Sequence, residues 1–88
     1  MRGISGREKR YVEVIADMAE DGSVTPLQVV WSDGRRYAID RVLDCRHAAS
    51  LKTGGCGMRY TVRVGGQATY LWREGDRWFV EAKVVPMP

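Results

Sequence analysis

Alternation of apolar and polar residues at every second position is the feature that most constrains what this chain can fold into. The alternation occurs in short runs, and turn residues such as Asp-Gly, Gly-Gly and Glu-Gly-Asp separate them. A period of two places successive side chains on opposite faces of a β-strand, so each run predicts a short, half-buried strand. The predicted strands cover residues 11–18, 27–31, 37–43, 58–64, 68–72 and 78–84.

The fold that these strands predict is all-β. About six antiparallel strands in a meander would form a small barrel or curled sheet, for which SH3-like and OB-like barrels are the nearest analogies. Residues 45–52 are the exception, because Asp44 is a good N-cap and Gly54 suits the position after a helix. A short helical turn is favoured there, and the third strand running on into a loop is the alternative.

Length and charge limit the organisation of the chain. Its 88 residues predict one small domain, residues 11–85, preceded by a flexible basic arm at residues 1–10. No apolar run approaches the ~20 residues of a membrane span, and no apolar segment follows the first basic residues as in a secretory signal. We therefore expect no membrane contact and a cytoplasmic location. The net charge of +3 permits nucleic acid as a partner without requiring it.

The predicted buried face follows from the hairpin registers, because a slip of one residue turns every side chain to the other face. Loops with an odd number of residues, such as 33–35 and 65–67, keep the apolar residues together, and the last hairpin then pairs Trp72 with Trp78. The motif W-x-[D/E]-G-x-R-[Y/W]-x-[I/V], present at Trp31 and again at Trp72, predicts the same geometry for two hairpins. The predicted buried face comprises Leu27, Val29, Trp31, Tyr37, Ile39, Tyr60, Val62, Val64, Tyr70, Trp72, Trp78, Val80, Ala82 and Val84.

The same registers place an apolar pair, Leu71 and Phe79, on the outer face, beside a row of three arginines, Arg59, Arg73 and Arg77, that crosses three strands. Like charges in neighbouring strands repel, so such a row predicts an anionic or acidic partner, or neutralisation by Glu74 and Asp76. The apolar pair could stack a base, dock a protein, or be covered by the amino-terminal strand of the chain itself. The candidate binding residues are Arg59, Arg63, Leu71, Arg73, Arg77 and Phe79.

Residues that could carry catalysis or bind a metal are sparse. His47 is the single histidine, Cys45 lies two residues before it, and Cys56 could be a third ligand. A zinc site needs three or four ligands at recognisable spacing, and a catalytic pair needs a group that orients the histidine. We therefore expect free thiols, no enzyme activity, no metal and no cofactor.

A glycine-rich segment is a second candidate site. Lys52, Thr53, Gly54 and Gly55 could form an anion-binding loop, because glycines expose backbone N–H groups. The order differs from a phosphate-binding loop, in which the lysine and hydroxyl follow the glycines. A flexible loop that needs positive φ angles is the alternative, and it is favoured.

Several segments together resemble a group of short, uncharacterised bacterial proteins. These segments are Pro26-Leu-Gln-Val-Val-Trp31, Asp33-Gly-Arg35, Tyr37-Ala-Ile-Asp-Arg-Val-Leu-Asp44, Ala49-Ser-Leu-Lys-Thr-Gly-Gly55 and Arg59-Tyr-Thr61. The resemblance spans roughly residues 10 to 82. It implies a bacterial, cytoplasmic protein, and it implies no activity and no functional residue.

The sequence predicts a small, non-catalytic binding module. The first hypothesis is that it acts through protein contacts, such as a homodimer formed through a sheet edge or through the surface around Leu71 and Phe79. The alternative is a nucleic-acid-binding small β-barrel that uses the basic outer face. Salt dependence distinguishes the two, because phosphate contacts weaken steeply as salt rises.

Overall fold

Seven β-strands form the whole of the regular structure in a computed structural model that describes residues 7–49 and 56–83. Every strand pairing is antiparallel, which confirms the predicted all-β class. Within these residues no helix is long and apolar enough to cross a membrane. The strands are β1 (Arg7–Met18), β2 (Val24–Val30), β3 (Arg36–Ala38), β4 (Arg41–Ala49), β5 (Cys56–Val64), β6 (Gln67–Glu74) and β7 (Arg77–Lys83).

The strands form one curled sheet in the order β3-β2-β1-β7-β6-β5-β4. Strands β3 and β4 lie at opposite ends of this order, yet only Ile39 and Asp40 separate them in the chain. The backbone N–H of Ile39 donates to Leu27 of β2, and that of Asp40 donates to Arg63 of β5. Because one two-residue link bonds to both ends of the sheet, the sheet must curl until its ends approach each other. The predicted strand over 37–43 is thus divided between β3 and the first residues of β4.

Strand β1 is shared between two halves of the sheet. Residues Arg7 to Val12 pair with β7, whereas Glu13 to Met18 pair with β2. Where β1 leaves β7, a cavity of about 310 Å³ opens between the strand and the β6–β7 turn. It is lined by Tyr11, Val12, Glu13, Val14, Asp76, Arg77 and Trp78.

The hydrophobic core covers one face of the sheet, which we call the inner face. Its most buried residues are Val29, Tyr60, Val62, Leu71 and Trp78. Alternate residues of every strand point to this face, so the core joins both halves of the sheet. Partly buried apolar residues surround it, namely Val12, Val14, Val24, Trp31, Ile39, Val42, Met58, Val64 and Val80.

The β2–β3 hairpin has the odd loop that the sequence predicts, but one residue earlier. The backbone N–H of Trp31 donates to the carbonyl of Arg35 at 2.8 Å, which closes a three-residue loop whose last residue is Gly34 at φ +88°. Val29 therefore faces Tyr37 rather than Ile39. A shift of two positions leaves side chains on the same face, so Val29, Trp31 and Ile39 still contribute to the core as predicted. The prediction that Tyr37 is buried is wrong, because its side chain is 40% exposed on the short edge strand β3.

The loops of the β5–β6 and β6–β7 hairpins differ from the prediction. Gly65-Gly66 closes β5–β6, and both glycines have positive φ, as a two-residue type I′ turn requires. Gly75-Asp76 closes β6–β7, with its glycine in the first central position, where type II′ turns have it. Both loops have two residues instead of an odd number, and the register of β6 is consequently shifted by one.

That shift changes the composition of the core. Tyr70 and Trp72 turn to the outer face, and Leu71 takes their place in the core at 1% exposure. The prediction that Leu71 and Phe79 share the outer face is therefore wrong. Leu27 was also expected in the core, but it is the extra residue of a β-bulge opposite Ile15 and Ala16 and is exposed.

Two predicted boundaries also change. The helical turn predicted around residues 45–52 is wrong over its described part, because β4 continues to Ala49 and pairs with β5 along its length. Residues 50–55 lie outside the described residues. Strand β1 begins at Arg7, so the last four residues of the predicted flexible arm belong to the sheet. Val84 of the predicted buried face also lies outside the described residues.

Candidate nucleic-acid interface

Four aromatic rings form a cluster on the outer face of β1, β7 and β6. Phe79 is opposite Trp72 in the register, and the two rings stack with their centroids 5.6 Å apart and an interplanar angle of 7°. Tyr11 meets Phe79 edge-on at 6.0 Å, and Tyr70 meets Trp72 edge-on at 6.5 Å. These four residues, called the aromatic cluster below, make a second apolar layer, in which Phe79 is completely buried.

The amino-terminal strand covers this cluster. The Lys9 ammonium lies 4.9 Å from the centre of the Phe79 ring and 3.1 Å from Oε2 of Glu74, and the Tyr11 hydroxyl donates to Glu74 at 2.7 Å. Its hydrogen bond to Glu74 raises the pKa of Lys9. Of the three alternatives considered for Phe79, cover by the chain's own first strand is the one that the structure shows.

Four arginines lie beside the aromatic cluster, on the outer face of the β4–β5 ribbon. They face each other across the two strands, Arg41 opposite Arg63 and Arg46 opposite Arg59. We call these four residues the arginine patch. The two strands contain a single carboxylate, Asp44, so positive charge predominates on this ribbon.

Contacts with β4, with β6 and with the β5–β6 turn orient three of the four guanidinium groups. Arg59 lies 4.4 Å from the centre of the Tyr70 ring, and its Nε has no hydrogen-bond partner among the described residues. The Arg46 Nε donates to Asp44 at 2.7 Å, which lowers the pKa of that carboxyl and raises the pKa of the guanidinium. Arg63 donates to the carbonyl of Gly66 at 3.3 Å. Stacking and backbone contacts thus hold arginines that a single carboxylate cannot neutralise.

Tyr70 and Tyr11 are the two exposed residues of the aromatic cluster, and Tyr70 is the one beside the arginine patch. Its side chain is 43% exposed, whereas Trp72 is only 2% exposed beneath it. The Arg59 guanidinium packs against its ring, so charge and an exposed aromatic surface lie together. This combination can bind a phosphate and stack a base at one place.

The predicted binding residues are dispersed by the corrected register. Arg59 and Arg63 lie in the arginine patch, but Arg73 is on the inner face, 5.9 Å from the Trp78 ring centre. Arg77 faces outward, 3.4 Å from the centre of the Tyr11 ring and away from the patch. Leu71 and Phe79 are buried in the two apolar layers. The predicted row of arginines across three strands is therefore absent from the described residues.

Arg41, Arg46 and Tyr70 are not among the candidate binding residues that the sequence indicates. Arg46 lies in the predicted helical turn, Arg41 lies in the predicted strand over 37–43 that the structure divides, and the odd-loop register puts Tyr70 in the core. The alternation Asp44, Arg46, Ala48 was a signal for an exposed strand face. A bulge at Leu43 then restores the register with Thr61.

The residues considered for catalysis or metal binding, Cys45 and His47, lie on the inner face of the edge strand β4. Cys45 is opposite Tyr60 and His47 is opposite Met58, and both Cys45 and His47 are exposed. Burial, and then the neighbouring Cys45, raise the pKa of Tyr60. Among the described residues no group of three or more His, Cys, Asp or Glu could hold a metal ion. The predicted anion-binding loop, Lys52 to Gly55, lies outside the described residues.

Comparisons of this chain with protein-family models, with curated proteins and with solved structures find no match. The geometry of the site is therefore the basis for inferring the function.

Proposed function

We propose that this chain is a small, non-catalytic binding module that binds single-stranded nucleic acid on the outer face of β4, β5 and β6. The observation that carries the proposal is the arginine patch, in which four guanidinium groups accompany a single carboxylate beside the exposed Tyr70 ring. Arginines would contact successive phosphates, and Tyr70 would stack a base. Every base has an aromatic face, so we expect little sequence preference.

Binding through protein contacts is the second candidate function. Strand β4 pairs only with β5 among the described residues, so its other edge presents unpaired backbone groups. Such an edge can receive a strand from another chain. The surface formerly expected around Leu71 and Phe79 cannot serve this purpose, because both side chains are buried.

We also propose a bacterial, cytoplasmic setting. The resemblance described above supports it, as does the thiol of Cys45, which is exposed and free. Reducing compartments keep such thiols unoxidised. Immunoblotting of cell fractions tests this setting, and recovery of the protein outside the cytoplasmic fraction would contradict it.

Removing two arginines should make oligonucleotide binding weaker and less dependent on salt. For single strands the slope of log K against log salt is about −0.7 per phosphate contact, so Arg41→Gln with Arg63→Gln should make it shallower by about 1.4. Fluorescence anisotropy with a labelled oligothymidylate of about 15 nucleotides measures this slope over a salt series. Arg73→Gln with Arg36→Gln is the control, because it removes the same charge from outside the patch.

Two outcomes of the salt series would contradict the proposal. One is the absence of binding by the wild-type protein even at the lowest salt concentration. The other is an equal change in slope for the patch variant and the control variant, because nonspecific attraction to net charge would then explain the binding.

Replacing Tyr70 by alanine should weaken binding by about 5- to 150-fold, the loss expected when one stacked base loses its aromatic platform. Tyr70→Phe keeps the ring and should bind within about twofold of the wild-type protein. The same anisotropy titration, at one low salt concentration, compares the two variants. Equal affinities of the alanine and phenylalanine variants would show that no base stacks on this residue.

A further inference from the structure

The open edge of β4 carries a charge pattern that is complementary to itself. Asp44 and Arg46 lie on the outer face of the strand, on either side of Cys45. We propose that two copies of this chain pair through β4, antiparallel, about a two-fold axis at Cys45. The occupant of the edge is thus a second copy of the chain, and the dimer would join two seven-stranded sheets into one continuous sheet.

Symmetry limits the registers that such a dimer can adopt. A two-fold axis perpendicular to the sheet makes the outer face of one copy continue into the outer face of the other. In such an antiparallel pair, one residue lies directly opposite the same residue of the second copy. An axis at Asp44 or at Arg46 would place like charges directly opposite each other, which destabilises a strand pair. An axis at Cys45 places Asp44 of each copy opposite Arg46 of the other. In that register, opposite charges alternate across the junction.

The local structure of β4 fits this register. The bulge at Leu43 interrupts the regular strand, and β4 then runs without irregularity from Asp44 to Ala49 along β5. Cys45, Arg46, His47 and Ala49 are exposed, as expected for a strand that could take another neighbour. The Asp44–Arg46 pair at 2.7 Å would become half of a four-membered ionic network in the dimer.

Another open edge, along the first half of β1, is less suited to self-pairing. Residues Arg7 to Val12 of β1 pair with β7 alone. Arg7, Lys9 and Arg10 give this edge repeated positive charge, and an axis at Lys9 would place two ammonium groups opposite each other. Charged edges of this kind oppose pairing with a second copy.

The dimer is independent of nucleic-acid binding but would enlarge its site. Arg46 occupies the outermost strand of the arginine patch, so pairing through β4 would make the patches of the two copies continuous. A monomer that binds oligonucleotide would overturn only the dimer. A dimer that binds no oligonucleotide would overturn only the proposed function.

Oxidative cross-linking of the full chain tests the register. In the Cys56→Ser variant, Cys45 is the remaining cysteine, and residues opposite each other in an antiparallel pair lie about 4.5–5.5 Å apart at Cα, within disulfide range. Oxidation should convert most of the chains to covalent dimer. The control moves the thiol by two positions, with Cys45→Ser and His47→Cys in the same background. Position 47 would then be about 13 Å from its own copy, and we expect at least about tenfold less dimer.

Charge exchange gives a second test that needs no thiol. Sedimentation velocity should show concentration-dependent dimer for the wild-type chain and its loss in Arg46→Asp, which would place four carboxylates together. The double variant Asp44→Arg with Arg46→Asp restores opposite charges across the junction and should dimerise again. A wild-type chain that stays monomeric at millimolar concentration would overturn the proposal. Failure of the double variant to dimerise, or cross-linking as efficient at position 47 as at Cys45, would do the same.

Discussion

Replacing Phe79 by alanine is expected to lower the free energy of unfolding by about 3–5 kcal/mol. The ring is completely buried although it lies on the outer face of the sheet. It stacks on Trp72, receives the edge of Tyr11 and lies beneath the Lys9 ammonium, so its removal leaves a cavity with several walls. Domains of this size are stable by only about 5–15 kcal/mol, so the variant should be close to unfolding.

Urea denaturation followed by tryptophan fluorescence measures this loss. Phe79→Leu is the matched control, because it keeps an apolar side chain and should cost about 1–2 kcal/mol. A loss below about 1 kcal/mol for the alanine variant would contradict the account, because a surface ring could be removed at that cost. Since Trp72 contacts the ring directly, its emission should also change in the native state.

Replacing Gly57 by alanine is expected to destabilise the fold by about 2–4 kcal/mol. A β-carbon at this position would collide with the backbone carbonyl oxygen of Arg73, where β5 and β6 approach each other closely. The φ angle of +152° is also one that other residues rarely adopt. Neither strand can yield without losing hydrogen bonds, so the cost should fall on the whole sheet.

The control for this variant is Gly22→Ala. Gly22 also has a positive φ, of +89°, but a β-carbon there would meet nothing within 4 Å. It should cost about 1–2 kcal/mol, the penalty of the left-handed conformation alone. Urea denaturation of both variants separates the steric term from the conformational one. Equal losses would show that β5 and β6 are not as close at Gly57 as described.

The sequence predicts the strands because each run of alternation is a local property. Val29, Val62 and Trp78 lie in the core as predicted. Their placement depends on the alternation within their own strands and, for Val29, also on the loop of the β2–β3 hairpin. The motif at Trp31 and Trp72 predicts the same geometry for two hairpins, but their loops differ. Gly34 takes the last position of a three-residue loop, whereas Gly75 takes the first position of a two-residue loop. Similar residues are compatible with both, and only pairing with the rest of the sheet decides between them.

The candidate site was less predictable for the same reason. The β5–β6 and β6–β7 loops can have an odd or an even number of residues. That number decides whether Tyr70 is a core residue or the exposed ring beside Arg59. Loops with an odd number of residues would suit a sheet with only one apolar face. This sheet has a second apolar layer, over which Lys9 and Glu74, 65 residues apart in the chain, close. A contact between residues so distant in sequence leaves no periodic signal.

The most direct test of the central claim, binding of single-stranded nucleic acid on the outer face, is an NMR titration. Amide and arginine Nε–Hε signals of the labelled protein would be followed while an unlabelled oligothymidylate is added. We expect progressive shifts for Arg41, Arg59, Arg63 and Tyr70, with inner-face residues such as Val62 unaffected. An unchanged spectrum, or shifts confined to residues outside the arginine patch, would show that nucleic acid does not bind on this face.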